Sequence, residues 1–342
     1  MAALEKQKIG NQNGWGGRVE GNLEQKLMIV TEDLSKQFEE FIAVDRVNLK
    51  VSAGEVLALL GPNGSGKTTT VRMLTSILRP SSGKAWVAGY DVVEHPDEVR
   101  ASVGVLTEHH GLYGRMTAVE YLDFFGQLYG IDLATRWKRA DRMLKDFGLE
   151  PYKKRRVGKF SKGMQQKLAL ARTLLHQPPV LLLDEPTSAM DPESARLVRD
   201  AIQELRSSDR AIVICTHNLA EAEKLADKIA IIRYGTIIAQ GTPNELRQRL
   251  LGAPVFEIRF GTDQNLDQVN LPESIEFEGR GQNWLRYRSA QPEIDNPFVL
   301  QYLLNLGLKV VSLEELPRSL EQIYLQVMKD PQIMARETVH VG

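Results

Sequence analysis

The chain has 342 residues, with 43 lysines and arginines against 44 aspartates and glutamates, a formal charge of −1. Hydrophobic residues at 42% and charged residues at 25% exclude a mostly disordered chain, and the even charge excludes a whole-chain nucleic-acid binder. A single cysteine, Cys215, excludes a disulfide framework or a Cys-rich zinc site, and no apolar run approaches the roughly 18 residues of a membrane span.

At about 150 residues per domain, two domains are expected. Residues 1–25 combine five glycines with few apolar side chains and read as a loose leader without a secretory signal. From Leu27 onward strand-like and helix-like patches alternate, the pattern of an α/β sheet. Val56–Leu60 is an apolar run ending in Gly61, hence a buried strand; Lys67–Leu78, with Val71, Leu74 and Leu78 apolar, follows as a helix. Thr117-Ala-Val-Glu120 is a capping box opening a helix that carries Tyr121, Phe124 and Phe125. Val180–Leu183 and Ala211–Cys215 are two further buried strands, and Pro243 opens a helix over Asn244–Leu251.

The composition then changes. Residues 251–342 hold 8 basic and 13 acidic side chains, net −5, whereas residues 1–250 hold 35 and 31, net +4. The tail reads as strands at Val255–Phe260 and Trp284–Arg288, a helix near Phe298–Leu306 and a strand at Lys309–Leu313. A last helix starts at the capping box Ser319-Leu-Glu-Gln322, with Leu320, Ile323, Tyr324 and Val327 on one face. The expected units are a leader (1–25), a main α/β domain (26–250) and a small C-terminal α/β domain (251–342).

Gly61-Pro-Asn-Gly-Ser-Gly-Lys67-Thr68 fits the phosphate-loop pattern between a strand and a helix. Its glycines let backbone N–H groups turn toward phosphates, and the positive end of the following helix adds attraction. Lys67 is expected to reach the β- and γ-phosphates, and the Thr68 hydroxyl to bind Mg²⁺. The strand Val180–Leu183 delivers Asp184 and Glu185 at its end, where open α/β sheets place ligands. Asp184 is expected to help hold Mg²⁺ and Glu185 to polarise an attacking water.

Between these motifs lies Phe160-Ser161-Lys162-Gly163-Met164-Gln165, opening a helix with Leu168, Ala169, Ala171 and Leu174. Phosphate loop, Ser-x-Gly helix start, Asp-Glu strand end, Ser188-Ala-Met-Asp191 and Thr216-His217, in this order over roughly 27–250, resemble the ATPase subunit of an ABC transporter. The resemblance implies an α/β P-loop NTPase fold with a mixed sheet and a helical subdomain, ATP and Mg²⁺ as cofactors, and an ATP hydrolase activity. By position it implies that Gly61, Asn63, Gly64, Ser65, Gly66, Lys67, Thr68 and Thr69 bind nucleotide and that Phe38 stacks on adenine, a core Phe being the alternative. Ser161 and Gly163 are expected to contact ATP held by a second ATPase subunit, and Asp191 to signal between the two sites. His217 is expected to touch the γ-phosphate beside Glu185, so that Glu185, His217 and Lys67 form the catalytic set.

Two positions depart from the family pattern. Glu108 stands where a Mg²⁺-sensing glutamine is usual, keeping an oxygen ligand but adding negative charge, and Lys162 replaces the first of two glycines. The run Thr107–Thr117, Lys162-Gly163-Met164 and the small C-terminal domain are similar to drug- or polysaccharide-export subunits. Partners implied are membrane permease subunits and a second ATPase copy, identical or related, on the cytoplasmic face of the cell membrane. A soluble ABC ATPase of DNA repair or translation is the alternative; about 90 residues between Lys67 and Ser161 leave no room for a long coiled-coil insertion. Lys153–Arg156 reads as a solvated charged face or, alternatively, as a patch facing anionic lipid.

Overall fold

The computed structural model describes residues 26–328, apart from 108–110, 189, 262–265, 267–268 and 273–274. Two long strands, β1 (Leu27–Phe38) and β2 (Phe41–Ser52), form a hairpin and lead into β3 (Val56–Leu60) and α1 (Lys67–Leu74). β4 (Ser82–Val87), β5 (Tyr90–Asp91), α2 (Pro96–Ser102) and β6 (Val103–Leu106) follow, then the helices α3 (Ala118–Leu128), α4 (Leu133–Asp146) and α5 (Lys162–Leu174). β7 (Val180–Asp184), α6 (Pro192–Glu204), β8 (Ala211–Thr216), α7 (Leu219–Leu225), β9 (Lys228–Arg233), β10 (Thr236–Gly241) and α8 (Pro243–Leu251) complete the main body. Beyond it lie β11 (Val255–Phe260), β12 (Glu276–Arg280), β13 (Trp284–Arg288), α9 (Pro292–Asn305), β14 (Val310–Glu315) and α10 (Leu320–Met328).

Three sheets result, ordered β2-β1-β4-β5, β10-β9-β3-β8-β7-β6 and β12-β13-β11-β14. In the six-stranded sheet β9, β3, β8, β7 and β6 are parallel, and only β10 runs against its neighbour. A parallel sheet is covered on both faces, so its strands are apolar throughout: β3, β7 and β8 have no exposed residue. The strand period of two divides them between two cores. Leu57, Leu59, Leu182, Val213 and Cys215 face a core shared with β1, β2 and α1; Val56, Leu181, Leu183, Ile212 and Ile214 face one shared with α3–α6. The helical set α3–α5 therefore rests on one face of the sheet and the antiparallel hairpin layer on the other.

Several boundaries differ from expectation. α1 stops at Leu74 rather than Leu78, because the Thr75 hydroxyl bonds the Val71 carbonyl and Ser76 turns to φ 56°, with Ile77 and Leu78 donating back to Arg72. α9 begins at Pro292, which suits a first helical position, and passes through Pro297 at the loss of one backbone bond. Tyr121 is fully buried in the helical core, with the rings of Tyr113 and Phe125 tilted against it and Phe124 edge-on to those two. Of the basic run, Lys153 pairs with Asp141, and Lys154, Arg155 and Arg156 are exposed.

The C-terminal sheet encloses its own core of Phe256, Ile258, Leu285, Tyr287, Val299 and Leu303. The final helix does not join it. Leu320 and Ile323 of α10 are buried instead with Ala222 of α7, Leu246 of α8 and Ile229 and Ile231 of β9. Thus the last element of the 251–342 segment packs on the main body, held at its start by Ser319 capping the Gln322 amide; the side chain of Val327 lies outside the described set. Ile323→Ala is expected to destabilise the main body by about 2–4 kcal/mol, seen as a lower urea midpoint in the unfolding of the full chain.

Candidate functional site

The parallel register brings three strand ends to one edge: Leu60 lies opposite Thr216, and Asp184 opposite Cys215. Beyond the strands the ladder continues, with Gly61 N donating to Thr216 O at 3.2 Å and Glu185 N to Cys215 O at 2.8 Å. The phosphate loop, the Asp184-Glu185 pair and His217 therefore start from adjacent, rigid strand ends. Glycine is required at two loop positions. A Cβ on Gly61 would lie 2.2 Å from the Ile232 carbonyl oxygen; Gly66 has φ 105°, and a Cβ there would lie 2.6 Å from the Ala43 carbonyl oxygen.

Lys67 is 5% exposed, and its ammonium donates to Gly61 O at 2.7 Å and Pro62 O at 3.0 Å, 3.8 Å from Glu185 Oε1. A buried cation needs such compensation, and the loop carbonyls with the carboxylate supply it. Thr68 Oγ1 donates to Asp184 Oδ2 at 2.8 Å. A cavity of about 240 Å³ is lined by the loop residues Asn63, Gly64, Gly66, Lys67, Thr68 and Thr69, by Asp184 and Glu185, and by Phe41 and Ala43. Ser65 turns inward, its hydroxyl buried without a hydrogen-bond partner. A wider depression of about 1140 Å³ opens at the opposite, N-terminal ends of the strands. Its carboxylates are already engaged: Asp227 accepts from Val56 N and Glu55 pairs with Lys228.

Glu185 adopts φ 50°, an uncommon conformation for a residue with a Cβ, of order 1 kcal/mol or more in strain. That turn takes its side chain out of the strand direction and toward His217, whose Nδ1 stands 2.8 and 2.9 Å from the two carboxylate oxygens. A carboxylate only accepts, so Nδ1 carries the proton, and in a neutral ring Nε2 is the remaining acceptor.

The remaining sequence-derived residues sit elsewhere. Ser161 caps α5 by accepting from Met164 N at 3.3 Å, and Gly163 approaches Ser194 so closely that a Cβ would lie 3.0 Å from its hydroxyl. Asp191 caps α6, accepting from Ser194 N at 3.0 Å; hydrogen bonding from the Ser194 side chain and then from its backbone amide holds the Asp191 carboxyl below the usual range. Ser161, Gly163 and Asp191 do not line the phosphate-loop cavity of their own chain. Nor does Phe38, which is 44% exposed with the Lys36 ammonium 5.0 Å above its ring. Its cross-strand partner Phe41 does line the cavity, and the signal available for it was an aromatic three residues past Phe38, directly after the Glu39-Glu40 turn. Glu108 lies outside the described residues.

For a divalent cation, the donors beside the loop are the Thr68 hydroxyl and the Asp184 carboxylate, and among the described residues no group of three or more His, Cys, Asp or Glu could form a cage. Two hard oxygen donors beside a phosphate loop fit Mg²⁺, which keeps waters and phosphate oxygens in its shell. Behind the site, the Cys215 thiol is fully buried; desolvation, reinforced by the Asp184 charge, pushes its pKa well up.

The ABC transporter family profile matches residues 44–188. The chain is 42% identical over 224 residues to the ABC transporter ATP-binding protein NatA of Bacillus subtilis (strain 168), covering 64% of this chain and 91% of the relative. It is 35% identical over 267 residues to the Nod factor export ATP-binding protein I of Ralstonia nicotianae, covering 78% and 83% respectively. A solved ATP-binding subunit of an ABC transporter superposes with a TM-score of 0.60 at 29% identity, over 66% of this chain and 94% of that one.

Because its thiolate is disfavoured and enclosed, Cys215 is expected to resist a thiol-disulfide reagent at pH 8. Titration of the full chain should show reaction at least about 100-fold faster in denaturant than in the folded state.

Proposed function

The chain belongs to the ABC transporter ATP-binding protein family, and on that premise we propose that it hydrolyses ATP with Glu185 as general base to power an exporter formed with separate membrane subunits. One observation carries the site assignment: at the edge of the phosphate-loop cavity Glu185 is held out of its strand at φ 50°, between His217 Nδ1 at 2.8 Å and Lys67 at 3.8 Å.

In this reading the phosphate-loop amides and Lys67 cradle the β- and γ-phosphates, Lys67 exchanging its loop carbonyls for phosphate oxygens. Glu185 accepts the proton of the attacking water, oriented by the Nδ1–H of His217. Thr68 and Asp184 would hold Mg²⁺, which when bound offsets the charge on the phosphates. In this reading the exposed Ser161 and half-buried Gly163 at the start of α5 serve the nucleotide of a second subunit, and the exposure of Ser161 and Asp191 supports the sandwiched dimer. For adenine stacking, Phe41 joins Phe38 as a candidate on the same face of the hairpin.

Among the described residues no helix is long and apolar enough to cross a membrane, so the reading assigns the pore to permease subunits and places this chain on their cytoplasmic side. The likeness to the Nod factor export protein of Ralstonia nicotianae supports export and favours transport over the DNA-repair or translation alternative. Residues 26–250 are taken as the ATPase unit, and 251–342 as an accessory unit whose helix α10 locks onto it.

Glu185→Gln is expected to lower ATP turnover by roughly 10²–10⁴-fold while leaving ATP binding intact. Purified in detergent from native membranes with ATP, that variant should retain a multi-span protein in stoichiometric amount. Recovery of soluble or nucleic-acid partners alone would favour the rival reading.

A further inference from the structure

One buried carboxylate stands behind the catalytic pair without touching the cavity. Glu221, in the first turn of α7, is 1% exposed, and both of its oxygens are taken: Oε2 accepts from Thr216 Oγ1 at 2.6 Å and Oε1 from Thr187 Oγ1 at 2.7 Å. Local rules alone would send it elsewhere. A glutamate three residues after a helix N-cap ordinarily reaches back to the cap's own amide. Here Asn218 caps the Glu221 amide at 3.2 Å, but the Asn218 amide donates to Thr216 Oγ1 at 3.0 Å, which frees the carboxylate to point inward.

The two threonines are not arbitrary partners. Thr216 immediately precedes His217, and Thr187 follows Glu185 by two residues, in the tight turn closed by Ser188 N donating to Glu185 O. The same turn is held from the other side by Gln166 of α5, whose amide donates to Pro186 O. Burial pushes the Glu221 carboxyl above its ordinary value, a rise that the hydroxyl bonds from Thr216 and then Thr187 only partly offset. A buried carboxylate costs stability unless its oxygens are bonded, so a simpler core would use an apolar side chain at this position.

We propose that Glu221 is a positioning residue for hydrolysis: by pinning Thr216 and Thr187 to one carboxylate, it fixes the chain segments that carry His217 and Glu185 at their observed separation. The inference rests on Glu185 being the general base. Glu185 at φ 50° is held from outside its own residue, since left-handed backbone is not its resting preference. Without the clamp, the Thr187 turn and the Thr216 strand end keep the Glu185–His217 contact itself as their remaining side-chain link among those described, and Glu185 and His217 drift relative to one another. A displacement of that kind lowers turnover without removing any group that binds ATP.

The test compares Glu221→Gln, Thr187→Val and Thr216→Val with Thr187→Ser and Thr216→Ser, all in the full chain, with Glu185→Gln measured in parallel. Each variant is assayed for kcat and KM for ATP, and its melting temperature is recorded. The Gln and Val variants are expected to lose roughly 10- to 100-fold in kcat with KM changed less than about threefold. The Ser variants, which keep the hydroxyls, should stay within about twofold of the parent. Thr187→Val combined with Glu221→Gln should be little worse than either alone, as members of one network behave. Full kcat in the Val variants, or equal losses in the Ser variants, overturns the positioning role while an inactive Glu185→Gln leaves the base assignment standing. An active Glu185→Gln overturns both.

Discussion

The molecule depends on one constraint: β3, β8 and β7 end level with each other. Parallel pairing of Leu60 with Thr216 and of Asp184 with Cys215 sets that level, and two further backbone bonds carry it past the strands into the phosphate loop and to Glu185. Each functional segment leaves the sheet within a residue or two of a hydrogen-bonded strand end, so few soft dihedrals separate the reacting groups. A slip of one residue in either pairing would turn every alternating side chain to the opposite core and would move the acid pair away from the loop.

On that platform the charges are arranged in opposition. A nearly buried lysine faces a nearly buried glutamate, and that glutamate in turn engages a half-exposed histidine. Neither the lysine nor the glutamate could occupy such a position alone, because an isolated buried charge is costly and its pairing is what makes burial tolerable. The strained backbone at Glu185 belongs to the same economy of position: it trades local preference for the direction of one side chain. Behind it, Thr216, Thr187 and Glu221 form a small polar network in which each hydroxyl donates and each carboxylate oxygen accepts, the condition under which buried polarity rigidifies rather than weakens a core.

The C-terminal segment shows how two cores can share one polypeptide. Its sheet and α9 close around their own apolar residues, but α10 returns to α7 and α8. α7 begins directly after His217 and carries Glu221, so the helix that buries Leu320 and Ile323 also braces the element behind the catalytic pair. The tail and the site are thereby joined through Ala222, the neighbour of Glu221, without any tail residue entering the cavity.

By itself the sequence determined the buried strands and the phosphate site. Val56–Leu60, Val180–Leu183 and Ala211–Cys215 are continuous apolar runs because a parallel sheet hides both faces, and two loop glycines, Gly61 and Gly66, are dictated by contacts as close as 2.2 Å. The capping box at Thr117 was legible because its partner Glu120 lies three residues away. What tertiary structure alone decided lies at long separation. β12, a charged and exposed strand, exists through its pairing with β13, and α10 leaves its neighbours in sequence for a distant groove. Phe41 rather than Phe38 lines the cavity, a matter of where a hairpin is laid on the sheet. Glu221 meets Thr187 across 34 residues, and no local pattern encodes that meeting. Periodicity and motifs report what a residue does to its near neighbours; side-chain contacts between segments arise only once the sheet has set their order and level.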